Sequence, residues 1–513
     1  MAQGESSERW SSRRGEAMAE RVIVRRGTFV DSVTLMMASR DAENLDGIAE
    51  ASIVNATPFN VELVEGQGFS LAGEEELGPN DLVIAFRGES EEALDAALAS
   101  IEERLERKGE RARSSTDRAA PRSVTSAARR RADLGLAVIS VPGQHAAYEC
   151  ARALDAGLDV FCFSSGPTLE AEAVLKTRAI ELGLMLMGPD CGTAILNGIC
   201  LGFGNAVREG PVGIVGASGT GIQAITCLLD AGGVGISQAI GVGGRDLSHQ
   251  VGGSMTLRGI ELLTADRETE TIVVVAKSPH PGVARRVAAA ATRSGKRAVI
   301  AFPGLRVAAD GEVGFDFATS LTEAAASAAR SVGATLPAPA RRGSVGSTRG
   351  AIRGLFSGGT LRDEAMAIVG ESAGRVESWL GEDPTGAHVL VDLGDERFTQ
   401  GRAHPMIDPS LRVSLLDQQS REAKVSVLLL DVVLGYAAHP DPAGELAPVI
   451  ERALDRRPGE LSFVVSLCGT DRDPQDLDRQ ADRLHRAGAV VTQSNADAAH
   501  LALEAAGLER TAP

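Results

Sequence analysis

Apolar residues along the chain fall into short, nearly continuous runs separated by stretches of helical period, and that rhythm predicts a parallel α/β architecture. The runs VGIVG (212–216), TIVVVA (271–276), VSVLLLDVV (425–433) and LSFVVSL (461–467) lack strict alternation. A strand has that pattern when helices cover both of its faces. From 133 to 195 the spacing predicts strands at 136–141, 159–163 and 185–187, with helices at about 144–156 and 169–182. Strand alternating with helix at this interval makes a doubly wound sheet. The rhythm restarts at 212–215 and runs to a strand at 298–301, then restarts at 351–355 and runs to a helix near 496–506. Ahead of all this, strands at 21–25 and 81–86 flank a helix at about 30–39, a small α/β or ferredoxin-like unit.

Two polar stretches without apolar period, 104–132 (Arg, Ser and Ala) and 336–350 (Pro, Gly, Ser and Arg), read as linkers. They divide the chain into a disordered tail (1–20), a small α/β domain (21–103), a linker (104–132) and a Rossmann-like domain (133–195). A second α/β domain (196–335), a linker (336–350) and a third α/β domain (351–513) complete it.

A chain of 513 residues has room for these domains, and its net charge of −17 disfavours nucleic acid or an anionic membrane as partner. Aromatics at 3% leave little to stack on bases, so the basic stretch in 104–132 reads as a solvated linker. The cysteines (150, 162, 191, 200, 227 and 468) form no CxxC pair, which points away from zinc or a disulfide framework and toward the cytoplasm. Neither a membrane span nor a secretory signal is read from the apolar runs. No metal site is expected; Asp392, Asp395 and Glu396 read as a plain acidic turn.

The strongest local chemistry is VGIVGASGTG (212–221), a buried strand entering a turn of small residues and then a helix. Unpaired N–H groups and the positive end of the helix dipole make such a turn an anion site. Ser218, Gly219 and Thr220 are its candidate phosphate ligands, with Ser218 equally suited to be an N-cap. IRGLFSGGTLRDE (352–364) repeats the arrangement with Ser357, Gly358, Gly359 and Thr360, and the two turns are expected to face one another across a single anion. Neither carries the lysine of a Walker A loop.

The segment GPDCGTAI (188–195) resembles the GPNCPG-type segment of the succinyl-CoA synthetase α subunit. VGIVGASGTG, GISQAIGVGGRD (235–246) and TIVVVAKSPHPG (271–282) follow in that family's order. The third domain resembles the ligase domain that ends the β subunit. SGGTLRDEA (357–365), LVDLGDERFTQGRAHPMID (390–408), SVLLLDVVLGYAAHPDPA (426–443) and SLCGTDRDPQ (466–475) resemble signatures of the FdrA family, whose members are generally named acyl-CoA synthetases. The resemblance implies a CoA-binding-type domain at 133–195 and flavodoxin-like ligase-type domains at 196–335 and 351–513. It also implies a purine-ureide activity for some members, as a subunit of oxamate carbamoyltransferase.

Departures from the family's pattern shape the functional expectation. The loop carrying the family's phosphorylated histidine corresponds to AFPGLRVAAD (301–310), which has no histidine. Lys277 and Arg245 stand where the family has acids, and no ATP-grasp domain is read. One glycine, Gly27, remains of the family's GxTGxxG loop. The leading expectation is a phosphate-dependent carbamoyl or acyl transferase subunit of the oxamate carbamoyltransferase type. Phosphate or carbamoyl phosphate is its substrate, and Lys277, Arg245 and the two helix termini stabilise charge without a covalent enzyme intermediate. The alternatives are a nucleoside-diphosphate-forming acyl-CoA synthetase and a non-catalytic CoA- or phosphate-binding subunit. Other subunits are expected to complete the enzyme. CoA is the candidate cofactor, at the strand ends marked by Pro142, Ser164, Ser165 and Gly166. His280 is a candidate acid or base, and Asp190, Cys191, Asp431, His404 and His439 are candidate substrate contacts, with an N-cap role equally open for Asp431.

Overall fold

Residues 18–43, 45–71, 77–111, 121–277, 279–303, 314–378, 388–399 and 402–508 are described by the computed structural model. They belong to two units, Met1–Ala120 with Glu396–His404, and Pro121–Asp395 with Pro405–Pro513. Among the described residues no helix is long and apolar enough to cross a membrane.

In the first unit, β1 (Ala19–Arg25), α1 (Ser32–Glu43), β2 (Ile48–Asn55), α2 (Pro58–Gly66), β3 (Leu82–Gly88) and α3 (Glu91–Arg111) build an antiparallel sheet of order β1-β3-β2. β3 is central because its alternate residues feed two cores: Leu82, Ile84 and Phe86 pack with Leu35 and Leu94, while Val83 and Ala85 pack with Val64 and Phe69. The third strand, β2, and helix α2 are additions to the sequence reading; Thr57 starts α2 by accepting from Asn60 N at 3.3 Å.

The second unit opens with α4 (Val124–Arg130), inside the stretch read as a linker. A reciprocal Ser123/Ser126 capping box accounts for a helix where no apolar period announces one. A small parallel sheet, β4-β5-β6, follows from β4 (Leu136–Ile139), α5 (Gly143–Asp155), β5 (Asp159–Cys162), α6 (Leu169–Glu181) and β6 (Leu186–Met187).

A hairpin, β7 (Thr193–Leu196) and β8 (Ile199–Gly202), then forms one edge of a seven-stranded sheet. The remainder comprises β9 (Glu209–Ala217), α7 (Gly219–Ala231), β10 (Ile236–Gly241), α8 (Ser254–Ala265), β11 (Thr271–Ala276), α9 (Pro281–Arg293), β12 (Arg297–Ala301), β13 (Asp316–Ala318) and α10 (Leu321–Ser331). Its order is β13-β12-β11-β9-β10-β7-β8, and the five strands from β9 to β13 are parallel.

The third sheet begins at β14 (Arg341–Arg342), β15 (Ala351–Phe356), α11 (Gly359–Ala373), β16 (Val376–Glu377) and β17 (His388–Asp392). After α12 (Glu396–Thr399), which groups with the first unit, come α13 (Ser410–Arg421), β18 (Val425–Val433), α14 (Pro442–Arg456), β19 (Ser462–Cys468), α15 (Leu477–Arg486), β20 (Val490–Thr492) and α16 (Asn495–Ala506). The order is β14-β20-β19-β18-β15-β17-β16. β14 lies in the second stretch read as a linker. It is ordered by antiparallel pairing with β20, and Thr348 N donates to Ala505 O at 2.8 Å.

Counted within each sheet, and leaving out the two-residue edge strand β16, both parallel sets have the flavodoxin-like order 2-1-3-4-5, with β9 or β15 as strand one and β11 or β18 as strand three. Such sheets bind ligands where the order reverses, at the carboxyl ends of strands one and three. The two sheets share one apolar core, in which Ile222 and Ile225 of α7 join Leu361 and Ala365 of α11. Asp473 fastens them by accepting from Ala206 N at 2.8 Å and Asn205 Nδ2 at 2.7 Å.

Candidate functional site

β9 and β15 each end in a small-residue turn that opens a helix, and these turns meet. Ser218 is the N-cap of α7; its Oγ accepts from Gly221 N at 2.8 Å and shares a hydrogen with Thr360 Oγ1 at 2.6 Å. Gly358 is the N-cap of α11, and a Cβ there would lie 2.8 Å from Thr220. Only glycine permits that approach. Thr193, at the start of β7, is buried beside Gly219, and its hydroxyl has no hydrogen-bond partner among the described residues.

The second turn is closed from within its own domain. Asp431, fully buried in β18, accepts from Ser357 N at 2.8 Å, Ser357 Oγ at 2.9 Å and Gly358 N at 2.8 Å. Arg412 of α13 pairs with the same carboxylate at 3.0 Å. Asp431 therefore fixes the turn ahead of α11, a role different from capping the helix that follows its own strand, α14, whose N-cap is Asp441. The donors left to α11 begin at its first residue, Gly359.

Lys277 follows β11, the third strand of the other sheet. It is half-buried and has no hydrogen-bond or ion-pair partner among the described residues. A Cβ at Gly359 would come 2.8 Å from Lys277 Nζ and would overlap the Asp392 carboxylate, so both groups reach the first residue of α11. Asp392 closes β17, with Oδ1 accepting from Gly394 N at 2.9 Å. Burial raises its pKa, while Lys277 and Arg362 act in the opposite direction. Asp392 thus belongs to this cluster and departs from the plain acidic turn read from the sequence.

Arg245 lies in a different network. Its Nε donates to Glu172 at 2.9 Å and its guanidinium to Pro167 O at 2.8 Å. Glu172 also pairs with the fully buried Lys176 at 2.8 Å, and Lys176 with Asp246 at 2.9 Å. These four charges join α6 to the loop after β10. That loop includes Gly244, where a Cβ would meet Lys277 Cε at 4.0 Å.

Several other candidates make local structural contacts. His280 caps α9, with Nδ1 accepting from Gly282 N at 3.3 Å, and stacks edge-on to His249 at 4.8 Å. Burial pushes the Cys191 thiol up to about 12, so it is no thiolate at neutral pH. Asp190 is exposed in a left-handed turn (φ 57°), and its N–H donates to Ser164 O at 3.0 Å. Ser164 Oγ ties the ends of the small sheet, donating to Val141 O at 2.6 Å and accepting from Val141 N at 2.8 Å. Pro142 is the N-cap position of α5, and Ser165 with Gly166 packs directly on Gly143. His439 is buried, its Nδ1 accepting from Asp441 N at 3.1 Å. His404 groups with the first unit, and burial lowers its pKa to about 4. The stretch 304–310, where the sequence reading finds no histidine, lies outside the described residues.

Sequence reasoning missed Thr193, Arg412 and the role of Asp392. Only Asp392 carried a usable signal, a carboxylate at the carboxyl end of a strand.

Three family models match the chain: "AllF, heavy metal-associated domain" at 18–121, the CoA binding domain at 207–304 and CoA-ligase at 355–505. The CoA-binding match falls on the first seven-stranded sheet, whereas the sequence reading set that domain type at 133–195. Residues 18–121 contain neither cysteine nor histidine. Among the described residues no group of three His, Cys, Asp or Glu is placed to hold a metal. The donor set there does not fit a heavy metal. The protein YahF of Escherichia coli (strain K12) is 38% identical over 510 residues, covering 95% of this chain and 98% of that one. Succinate–CoA ligase [ADP-forming] subunit alpha 2 of Archaeoglobus fulgidus is 34% identical over 150 residues, 28% of this chain and 51% of that one. The dinucleotide-forming acetyl-coenzyme A synthetase 1 of Ca. Korarchaeum cryptofilum matches at 18% identity and a TM-score of 0.32, over 73% of this chain and 83% of that one.

Proposed function

Because the chain belongs to the family of Escherichia coli YahF, with domains of the acyl-CoA synthetase type, we propose that it is the acyl-transfer subunit of an acyl-CoA synthetase-like enzyme. The site between α7 and α11 holds phosphate or the phosphoryl end of an acyl phosphate. The observation that carries this reading is the meeting of the two helix N-termini at Ser218 and Thr360, with the unpaired Lys277 reaching the same turn. Donors fixed in place stabilise charge on a departing phosphate without reorganising during the reaction. A thiol attacking the acyl carbon would then release phosphate into a site built to hold it. CoA enters as the thiol on the strength of the relatives' names and the matched domains.

Oxamate carbamoyltransfer, the leading expectation from the sequence, finds no specific support in the comparisons, and the synthetase reading takes its place. Carbamoyl phosphate remains one acyl phosphate to test, because the sequence has no histidine between His280 and His388 to carry phosphate. Further subunits of a hetero-oligomer would complete the reaction by supplying nucleotide chemistry.

Calorimetric titration of the chain with phosphate, acetyl phosphate, carbamoyl phosphate and CoA tests the reading, followed by an assay for acetyl-CoA from acetyl phosphate and CoA. Phosphate binding that weakens in Lys277→Ala, with thioester formed, supports it. A chain that binds none of the phosphates, alone or with its partners, overturns it.

A further inference from the structure

Two carboxylates lie at the paired helix termini, and their surroundings differ. Asp431 has both oxygens engaged, Oδ1 with Ser357 and Arg412 and Oδ2 with Gly358 N. Asp392, only 8% exposed, has Oδ1 on Gly394 N, whereas its Oδ2 has no hydrogen-bond partner among the described residues. That oxygen reaches the Gly359 backbone, and so does Lys277 Nζ, which likewise has no hydrogen-bond or ion-pair partner among the described residues. These opposite charges, brought together from different sheets, act on one another without a direct hydrogen bond, which leaves a carboxylate oxygen and an ammonium able to engage a ligand. The ligand that suits both, together with the open N–H groups of α11, is a tetrahedral phosphoryl group.

We propose that Asp392 is a phosphoryl acceptor, its Oδ2 taking the phosphoryl group of a bound acyl phosphate to form an aspartyl phosphate. The inference rests on the reading of this site as a holder of acyl phosphates. In the step, the bond between phosphorus and the acyl oxygen breaks, and its electron pair leaves with the released carboxylate. The Oδ2–phosphorus bond forms in its place. One mixed anhydride replaces another, so no proton is transferred and no oxidant or reductant is needed. Run in reverse, the step makes an acyl phosphate from a free carboxylate, which is the species a thiol then consumes. The hydrogen bond from Gly394 N orients the carboxylate, and Lys277 supplies the countercharge that one anion needs to approach another. The absence of a side chain at Gly359 leaves the space in which they meet. This departs from the purely electrostatic catalysis expected from the sequence.

The test is incubation of the full chain with acetyl phosphate radiolabelled on phosphorus, then acid quench and peptide mapping. The expected result is label on Asp392, stable in acid and removed by alkali or neutral hydroxylamine. Asp392→Asn keeps the Oδ1 acceptor for Gly394 N and should fold while losing the label. Gly359→Ala should lose the label with Asp392 still present. Label on another residue, or label that survives in Asp392→Asn, overturns the proposal. So does a wild-type chain that binds acetyl phosphate and forms acetyl-CoA but never becomes labelled, an outcome that leaves the function proposed above intact. A chain that binds neither phosphate nor acetyl phosphate by calorimetry removes both.

Discussion

Ser218-Gly219-Thr220-Gly221 and Ser357-Gly358-Gly359-Thr360 are nearly the same sequence at equivalent points of two sheets with the same strand order, yet they are built differently. In the first, the serine itself caps the helix, leaving the N–H groups of Gly219 and Thr220 ahead of the capped one. In the second, a carboxylate from strand three holds the serine and the next N–H, so the helix starts one residue later. The third strand of each fold carries an opposite charge at its tip, Lys277 after β11 and Asp431 in β18. A glycine-rich turn thus states how many donors exist, and strand three decides how many remain for a ligand. The first turn remains open to an anion, and the second is a rigid wall that aims Gly359 and Thr360 at it.

Removing the wall has the largest expected effect. Asp431→Ala leaves Arg412 buried without its countercharge and should cost about 3–5 kcal/mol, read by denaturant unfolding. Next comes Glu364, on α11, which accepts from Leu321 N of α10 at 2.6 Å and from Asn495 at 2.7 Å. Burial pushes it up to about 7. A carboxyl raised in the folded state contributes stability that is complete below its unfolded pKa and is lost as pH rises through 7. The loss amounts to about 3 kcal/mol. Unfolding curves between pH 4 and pH 9 should show this decline, and Glu364→Gln should flatten it.

On the open side, Lys277→Ala should weaken phosphate binding by about 1.5–3 kcal/mol, roughly ten- to a hundredfold by calorimetry, with unfolding little changed. Equal loss of stability and affinity would make Lys277 a structural residue. Gly358→Ala drives a methyl into Thr220 and should destabilise by about 1–3 kcal/mol while separating the two turns. Smallest is Ser218→Ala, about 1 kcal/mol for a lost cap, with Thr360 Oγ1 left without its 2.6 Å partner. A larger loss of phosphate affinity than of stability there would give the hydroxyl a role toward ligand.

The parallel sheets and both turns were legible because each rests on local pattern, a continuous apolar strand or a run of small residues, while Lys277 was marked only by the resemblance, at a position where the family has an acid. Asp431 was visible but ambiguous, since only its distance to Ser357, 74 residues earlier, shows which role it takes. Arg412 sits in the first turn of α13 with nothing nearby in sequence to mark it. Asp392 was hidden among the acids of DLGDE, and its meeting with Lys277 needs two sheets to be packed together. The stretches read as linkers failed for a related reason. Arg341 and Arg342 have no strand pattern of their own and are ordered by the edge of β20, more than a hundred residues later.

The quartet Glu172, Lys176, Asp246 and Arg245 bears on how such a chain changes over time. Two positive and two negative groups balance there, three of them fully enclosed. Neutralising one strands another beneath the surface at a cost of about 3–5 kcal/mol, a large share of a typical domain's stability. The four positions are therefore free to drift only in compensating pairs. Across descendants of this fold they should covary as a set, tying the history of α6 to that of the loop beside Lys277.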